Sequence, residues 1–417
     1  MKKFAVLLFA ALLVVAFTTP ASALENVFGG YWRVRGYMQA NFTGEDETEA
    51  QDLARYDTRT RLYYTAVLND HLKLVNKFEM DAVFGDGASY GDIGADGVNI
   101  EVKNSYAEFT IASWLFRAGT QPWYVSRGLI VDDDASGFLA LYMGETWSLA
   151  LADAKAFEGG MGKDANDGDV EFYALIPSFH LSEALKLTGN LVYIPSDNAT
   201  PMLGVGEDLA LGFAGLDVDY KGDMFGMWGT VYFNFGGLDD VAGTDYDFSG
   251  YLFALGASTN LGAAGVHGEF LYASGDDDPT DDDMEDFQNS GANSYYWAEI
   301  MGYGIFDNQV SNNAPADGYT ANGHWYLNLG LSMSPMDKVK IAADIYYAEL
   351  AEDVLDADGD EVSDLGTEVD VKLTYQLVEG LNWDFVGAYL FAGDATTLNV
   401  DDDANPYELG TRLSLSF

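Results

Sequence analysis

Much of the chain alternates with a period of two. From Tyr407 to Phe417, the residues Tyr407, Leu409, Leu413, Leu415 and Phe417 share one parity; Glu408, Gly410, Arg412, Ser414 and Ser416 hold the other. In segment 72–84, Leu72, Leu74, Phe78, Met80, Ala82 and Phe84 share a face on which only Asn76 is polar, and Lys73, Lys77, Glu79 and Asp81 share the opposite one. In segment 367–375, Thr367, Val369, Val371, Leu373 and Tyr375 oppose Glu368, Asp370, Lys372 and Thr374. Successive side chains of a strand point to opposite faces, so this pattern predicts strands with one apolar and one charged face.

Two kinds of connection punctuate these segments. Short polar turns fall at 69–71, 112–114, 144–146, 182–184, 222–224, 262–264, 335–337 and 379–381. Longer stretches rich in Gly, Asp and Asn fall at 44–54, 85–98, 159–169, 197–208, 236–247, 275–323, 353–365 and 392–405. Short turns alternating with long loops predict an all-β, antiparallel, up-and-down transmembrane barrel with short periplasmic turns and long acidic extracellular loops. Eight short turns imply nine hairpins, hence about 18 strands. Without the least regular hairpin, around 137–157, the count is 16, which is also even. No domain boundary interrupts 24–417, which reads as a single barrel domain.

Alternation alone does not say which face points inward, because a soluble barrel would hold its apolar face inside. Composition and the two ends decide it. The formal charge is −47, and −49 once Lys2 and Lys3 are removed. A soluble domain this acidic would strain against self-repulsion. Yet 48% of residues are hydrophobic and 14% aromatic, and acidic loops outside an apolar band reconcile these figures. The 26 Tyr and 25 Phe suit the aromatic girdles of membrane barrels. There is no cysteine, hence no disulfide framework, and the sign of the charge excludes nucleic acid as a partner.

Lys2 and Lys3, the apolar run 4–17 and the small-residue site Ala21-Ser22-Ala23 read as a signal peptide over 1–23. The run is too short to span a bilayer comfortably. Phe417, ending an amphipathic strand, resembles the signal by which the barrel-assembly machinery recognises outer-membrane proteins. The expectation is a chain exported through the periplasm to the outer membrane of a Gram-negative cell. There its apolar face meets membrane lipid and lipopolysaccharide, and its polar face meets a wet lumen.

Half of the 20 Lys and Arg residues lie between Arg33 and Arg127. Arg33 and Arg35 share one face of the first strand, Arg59 and Arg61 one face of the second, and Lys73 and Lys77 one face of the third. Barrel closure brings Arg412 beside the first strand. Arg33, Arg35, Arg59, Arg61, Lys77 and Arg412 are therefore expected as a basic wall lining the pore. Pairing with Asp57, Glu79 and Asp81 as plain wall structure is the competing role. Asp132, Asp133 and Asp134, in the acidic segment 131–137, are expected in a loop that folds inward and opposes that wall, making a constriction with a transverse field. The long loop 275–323 carries Tyr295-Tyr296-Trp297, and such a cluster should pack over the pore mouth or a neighbouring subunit.

No metal site is strongly marked. Asp356, Asp358 and Asp360 place oxygens at alternate positions, a weak calcium candidate that lacks the spacing of a full EF-hand loop. His71, His180, His267 and His324 are scattered, and no catalytic motif or cofactor fingerprint occurs. The chain is expected to be neither an enzyme nor a cofactor carrier.

The stretch from Gly94 to Phe109, then Arg117-Ala118-Gly119-Thr120-Gln121, then Asp132-Asp133-Asp134-Ala135-Ser136-Gly137, resembles homotrimeric outer-membrane porins of sulfate-reducing bacteria. The likeness covers mainly residues 55–185. It implies a homotrimer passing small hydrophilic solutes and ions by diffusion. The G-x-Q strand end also resembles alginate-export-type channels of 18 strands, which implies instead a channel selective for a sugar, oligosaccharide or anion. A non-conducting receptor or structural surface barrel is the third alternative.

Overall fold

The computed structural model describes residues 24–44, 52–94, 100–159, 168–197, 208–241, 243–278, 280–310, 323–356, 358–397 and 404–417. The expected signal peptide, 1–23, lies outside them. The chain opens with β1 (Glu25–Ala40), β2 (Leu53–Asn69), β3 (Leu72–Val83), β4 (Glu101–Ile111), β5 (Trp114–Val125) and β6 (Val131–Met143). It continues with β7 (Trp147–Phe157), β8 (Val170–His180), β9 (Leu185–Ser196), β10 (Asp208–Lys221) and β11 (Phe225–Val241). Next come β12 (Thr244–Phe248), β13 (Tyr251–Leu261), β14 (Ala264–Ala273) and β15 (Asp283–Met284). The last are β16 (His324–Met336), β17 (Val339–Leu355), β18 (Glu361–Val378), β19 (Leu381–Ala392) and β20 (Tyr407–Ser416).

The two short strands β12 and β15 pair in parallel with each other beside the rim. The remaining 18 are antiparallel neighbours, and β1 pairs with β20 to close the barrel, placing Arg35 opposite Arg412. The strand count is therefore 18 and not 16: the hairpin of β6 and β7 is regular, with eight paired positions from Ser136↔Lys155 to Met143↔Ser148. Each of the eight short turns joins consecutive strands. One is shifted, because β16 runs on to Met336 and the chain reverses at Asp337 and Lys338.

Three expected loops are shorter than the sequence implied. Residues 236–241 belong to β11, while β17 and β18 extend through much of 353–365, with Val354 opposite Val362. The third difference matters most. Asp132, Asp133 and Asp134 are not in a loop: they lie in β6, opposite Tyr124, Trp123 and Pro122 of β5. Aspartate is a poor strand former, but cross-strand pairing from Val125↔Val131 through Trp114↔Tyr142 carries the segment, and tertiary context overrides propensity. The β5–β6 connection is instead Ser126–Ile130.

The faces divide as the alternation implied. Met38, Leu62, Leu74, Phe138, Leu329 and Phe385 are exposed on the outside, while Arg35, Glu79, Glu368 and Glu408 are buried inside. An apolar outer belt around a charged interior is the arrangement of a membrane barrel, since charge on the lipid face costs up to ~2–4 kcal/mol near the midplane.

Candidate functional site: a charged constriction

The basic residues of the first two strands stand in register. Arg33 of β1 is opposite Arg59 of β2, and Arg35 is opposite Asp57. On the next strand, Arg59 faces Asp81 and Arg61 faces Glu79. Arg35 grips Asp57 with two parallel hydrogen bonds of 2.9 and 2.8 Å. Arg59 donates to Asp81 at 2.6 Å and lies 3.5 Å from Glu79, which also accepts from Arg61. Arg412 of β20 donates to Asp384 of β19 at 2.8 Å. Lys77 forms no ion pair among the described residues. Five of the six expected basic residues are thus ion-paired, and their roles as lumen surface and as wall structure coincide.

The element facing this wall is the loop after β14. It turns into the lumen and reaches the far side. Asp307 accepts from Arg33 at 2.9 Å and from Arg35 at 2.7 Å, and Arg35 also donates to the Ile305 carbonyl at 2.7 Å. Phe306 stacks on Tyr37 at 4.6 Å, and Arg55 donates to the Tyr37 hydroxyl at 2.6 Å. Burial alone would raise the pKa of Asp307, but Arg35 and Arg33 outweigh it and hold that carboxyl below its usual value. Asn308 donates to Gln39 at 2.9 Å, and Gln39 donates on to Glu408.

A second set of contacts ties the loop to β18. The Ile300 and Met301 amides donate to the two oxygens of buried Glu368, at 2.7 and 2.9 Å, and the Glu299 amide donates to Asp370. Glu299 in turn accepts from the Ile305 amide at 2.7 Å. Burial, reinforced by the field of Glu368, pushes the Glu299 carboxyl up to about 7.

The third set is apolar. Phe287, Trp297, Ile300 and Met301 of the loop pack against Phe213, Tyr232, Leu252, Leu271 and Tyr326 on the inner wall from β10 to β16. Trp297 lies flat on Tyr326, with centroids 4.2 Å apart and planes 4° from parallel. This is the aromatic cluster expected to pack at the pore.

The β5–β6 connection also turns inward. Ser126, Arg127 and Gly128 all have positive φ. Arg127 reaches Asp217 and Asp219 of β10 and stacks over Trp228 at 4.6 Å. Leu129 and Ile130 are fully buried. The Gly128 carbonyl accepts from the Ser294 amide, and the Asp132 amide donates to Ala292, so the two inward elements brace one another.

The acids Asp132–Asp134 belong to the tip of this hairpin, beyond Thr120 and Ser136, the last residues of β5 and β6 that pair with β4 and β7. Asp134 lies 3.8 Å from Lys103 and accepts at 2.6 Å from Asn104, which is buried on the inward parity of β4 with Tyr106 and Glu108. Asp133 and Asp134 line a cavity of about 300 Å³ with Trp123, Val131 and Ala292. The carboxylate that pairs with Arg33 and Arg35 from the lumen side is Asp307, which carries no local sequence signal. The candidate calcium residues lie in a turn. One Asp356 oxygen accepts the amides of Asp358 and Asp360, so the segment closes a turn on itself. Among the described residues no group of three or more His, Asp or Glu is placed to hold a metal.

What remains open beside the loop is a cavity of about 320 Å³ lined by Arg33, Arg35, Arg55, Arg59, Asp81 and Asp307. A larger space of about 830 Å³, lined partly by Lys186, Trp228, His267 and Glu269, lies toward the periplasmic turns. Among the described residues Arg33 Nε is buried without a hydrogen-bond partner.

No protein-family model and no curated protein matches the chain. Solved structures do match it. OpdO of Pseudomonas aeruginosa aligns over 94% of this chain and 97% of its own, with a TM-score of 0.59 at 12% identity. The outer membrane protein OprD of the same organism aligns over 95% of each chain, with a TM-score of 0.58 at 13% identity. The chain shares their fold. OccAB1 of Acinetobacter baumannii, at 9% identity and a TM-score of 0.57, covers 94% of this chain and 97% of its own. Near-complete coverage at such identity makes the likeness one of whole-barrel architecture, and its chemistry has to be argued from this chain's own residues.

Proposed function

We propose that this protein is an outer-membrane channel that passes small hydrophilic solutes and ions passively. The observation that carries the proposal is a closed barrel, apolar outside and charged inside, whose lumen is narrowed by a loop held against a wall of paired arginines. The architecture shared with OprD, an outer membrane protein of Pseudomonas aeruginosa, supports the location. The test is single-channel recording of the purified full chain in a planar bilayer. Discrete ohmic steps are expected, and complete absence of conductance would leave a receptor or structural barrel.

The depth of the inward loop favours a substrate-selective form of this channel over a wide general pore. A 320 Å³ charged cavity fits a solute of a few heavy-atom groups in close contact, and the four arginines in its lining offer donors to an anion. Block of the current by millimolar carboxylates supports selectivity. Conductance rising in proportion to salt without saturation supports the general porin. The narrower likeness to homotrimeric porins of sulfate-reducing bacteria rests on the motifs in 94–137.

Phe417 is proposed as part of the assembly signal. It is exposed, and its backbone closes the barrel by exchanging two hydrogen bonds with Gly30. Its deletion is expected to reduce heat-modifiable protein in the outer membrane; unchanged levels remove this role.

A further inference from the structure

The inward hairpin opens a cleft in the wall where it departs. β4 and β5 pair only as far as Ser105↔Thr120, and β6 and β7 only as far as Ser136↔Lys155, while β5 and β6 stay together to Val125↔Val131. β7 goes on beside β8 as far as Phe157↔Val170. Beyond Ser136, then, β6 and β7 have parted, and the cavity of about 300 Å³ lies between them. Its lining shows this directly. Asp133, Asp134 and Ala135 are consecutive residues of β6, and Ala156 and Phe157 are consecutive residues of β7. Successive strand residues point to opposite faces, so a space that touches such runs on both strands lies along their free edges.

The cleft has two kinds of surface. Its walls are apolar, built from Trp123, Phe157, Val170, Phe172 and Ile194, and the small side chains of Ala154 and Ala156 leave the room between them. Trp123 Nε1 donates to the Ala135 carbonyl at 3.0 Å, so the indole spends its polar atom there and offers the cavity only ring. Trp123 and Phe172 stand with centroids 6.0 Å apart and planes tilted by 52°. At the β6 edge stand two carboxylates. Asp134 is already engaged, accepting from Asn104 at 2.6 Å and lying 3.8 Å from Lys103. Asp133 accepts the Asp134 amide at 2.7 Å and has no ion pair among the described residues. It is exposed, at the place where solvent meets the apolar walls.

We propose that this cleft binds a small amphipathic cation, an amine carrying an aromatic or short alkyl body. The ammonium sits against Asp133 and the body lies among Trp123, Phe157 and Phe172. Each part of the ligand answers one part of the site. A carboxylate at the mouth of an apolar pocket favours a positive group that can hydrogen-bond to it, and neighbouring rings attract the same charge through their faces. The apolar body gains by leaving water. An apolar cavity of about 150 Å³ already holds benzene, so about 300 Å³ has room for a ring, a short linker and an ammonium. A carboxylate solute of the same size would be repelled by Asp133 and Asp134. The cleft therefore selects against the anions that suit the arginine-lined cavity beside Asp307. The two spaces share no lining residue, and the proposal holds whether or not the barrel conducts.

The test is calorimetric titration of the full chain in lipid nanodiscs, with empty nanodiscs as the blank. Phenethylammonium should bind saturably, once per chain. Phenylacetate has the opposite charge, 2-phenylethanol is neutral and methylammonium lacks the ring, so each should bind at least about tenfold more weakly. Asp133→Asn should weaken phenethylammonium at least about fivefold and leave 2-phenylethanol unchanged, because it removes charge and not space. Ala154→Leu should abolish binding of both by filling the cleft, and Ala156→Leu, on the exposed edge, should do so without disturbing buried packing. Equal affinity for phenethylammonium and phenylacetate overturns the proposal, as does a signal no larger than that of empty nanodiscs. Undiminished binding in Asp133→Asn and in both leucine variants places the amine elsewhere and overturns it too.

Discussion

The two halves of the lumen solve the same problem in different ways. On β1 to β3, β19 and β20 the inner wall is charged, and its ions are matched between adjacent strands: Arg35 with Asp57, Arg59 with Asp81, Arg61 with Glu79, Arg412 with Asp384. Paired in this way, the wall can border a wet lumen, and the loop meets it at Ile305, Phe306 and Asp307. From β9 to β16 the upper inner wall is apolar, with Val192, Phe213, Leu252, Leu271 and Tyr326 buried. A wet lumen would be costly to such a surface, so another apolar surface must cover it, and the loop after β14 supplies Phe287, Ile300 and Met301. Burying each of those side chains is worth ~1.5–3 kcal/mol. The contrast shows how a barrel can be narrowed without a separate plug: one wall binds the loop, and the other leaves a passage whose width the loop's far edge sets.

The largest effect should come from uncoupling the loop from the apolar half. Ile300→Asp with Met301→Asp places unpaired charge in a site with no exposed surface. Buried, unpaired charge is among the few changes that exceed ~4 kcal/mol, so the loop should leave its seat. Single-channel conductance is expected to rise at least about twofold as the constriction widens, while the barrel remains heat-modifiable. Unchanged conductance would mean that the loop does not bound the passage.

A smaller effect is expected on the charged half. Arg59→Glu with Arg61→Glu should shift the reversal potential in a salt gradient toward cations, because both side chains border the lumen and Arg59 lines the 320 Å³ cavity. It should also lower thermal stability, since Glu79 and Asp81 would face new carboxylates across the strand pair. Arg412→Gln, farther from Asp307 and paired with Asp384, should shift the potential less. A stability loss with no change in potential would leave the arginines as wall structure only.

Much of the barrel was legible in the sequence. Period-two alternation, Gly- and Asp-rich punctuation and the contrast of short with long connections are local properties, and they yielded the strand count and the inward charged face of β2, β3, β18 and β20. The constriction was half legible. Arg33 and Arg35 declare their common face by spacing, but their partner Asp307 lies some 270 residues away along the chain, and no local pattern joins them. The run Asp132–Asp134 resembles a loop because it is acidic; cross-strand pairing with β5 makes it strand, in the inward tip of the β5–β6 hairpin. The inward turn at Ser126–Ile130 had only the Arg127-Gly128 step to mark it, and that step is ordinary in any turn.

The smallest effect is a pH dependence of the latch between the two halves, and its two limbs have opposite signs. Asp307 has its pKa held below the usual 3.8 because Arg35 and Arg33 outweigh its burial. A depressed acid favours the seated loop above that ordinary value and loses its contribution as pH falls through the lower, folded one. Glu299 behaves oppositely. Its pKa is raised from 4.5 to about 7, chiefly by burial and then by the field of Glu368, with Lys372 and Arg412 acting against the shift. A raised acid favours the seated loop fully below the ordinary value and loses that contribution as pH climbs toward and through 7. The latch should therefore be firmest between about pH 3.8 and 4.5, above the ordinary value of Asp307 and below that of Glu299. Conductance should be lowest and quietest there, with brief openings to a larger level on either side. Glu299→Gln should abolish the alkaline limb and spare the acid one, because the amide still accepts from Ile305 but cannot ionise. Asp307→Asn should do the reverse, flattening the acid limb while lowering the barrier to opening at every pH, since Arg33 and Arg35 would lose a charged partner. Recordings that stay flat across both limbs would show that the apolar contacts alone hold the loop, and that the charged half contributes the shape of the passage but not the latch.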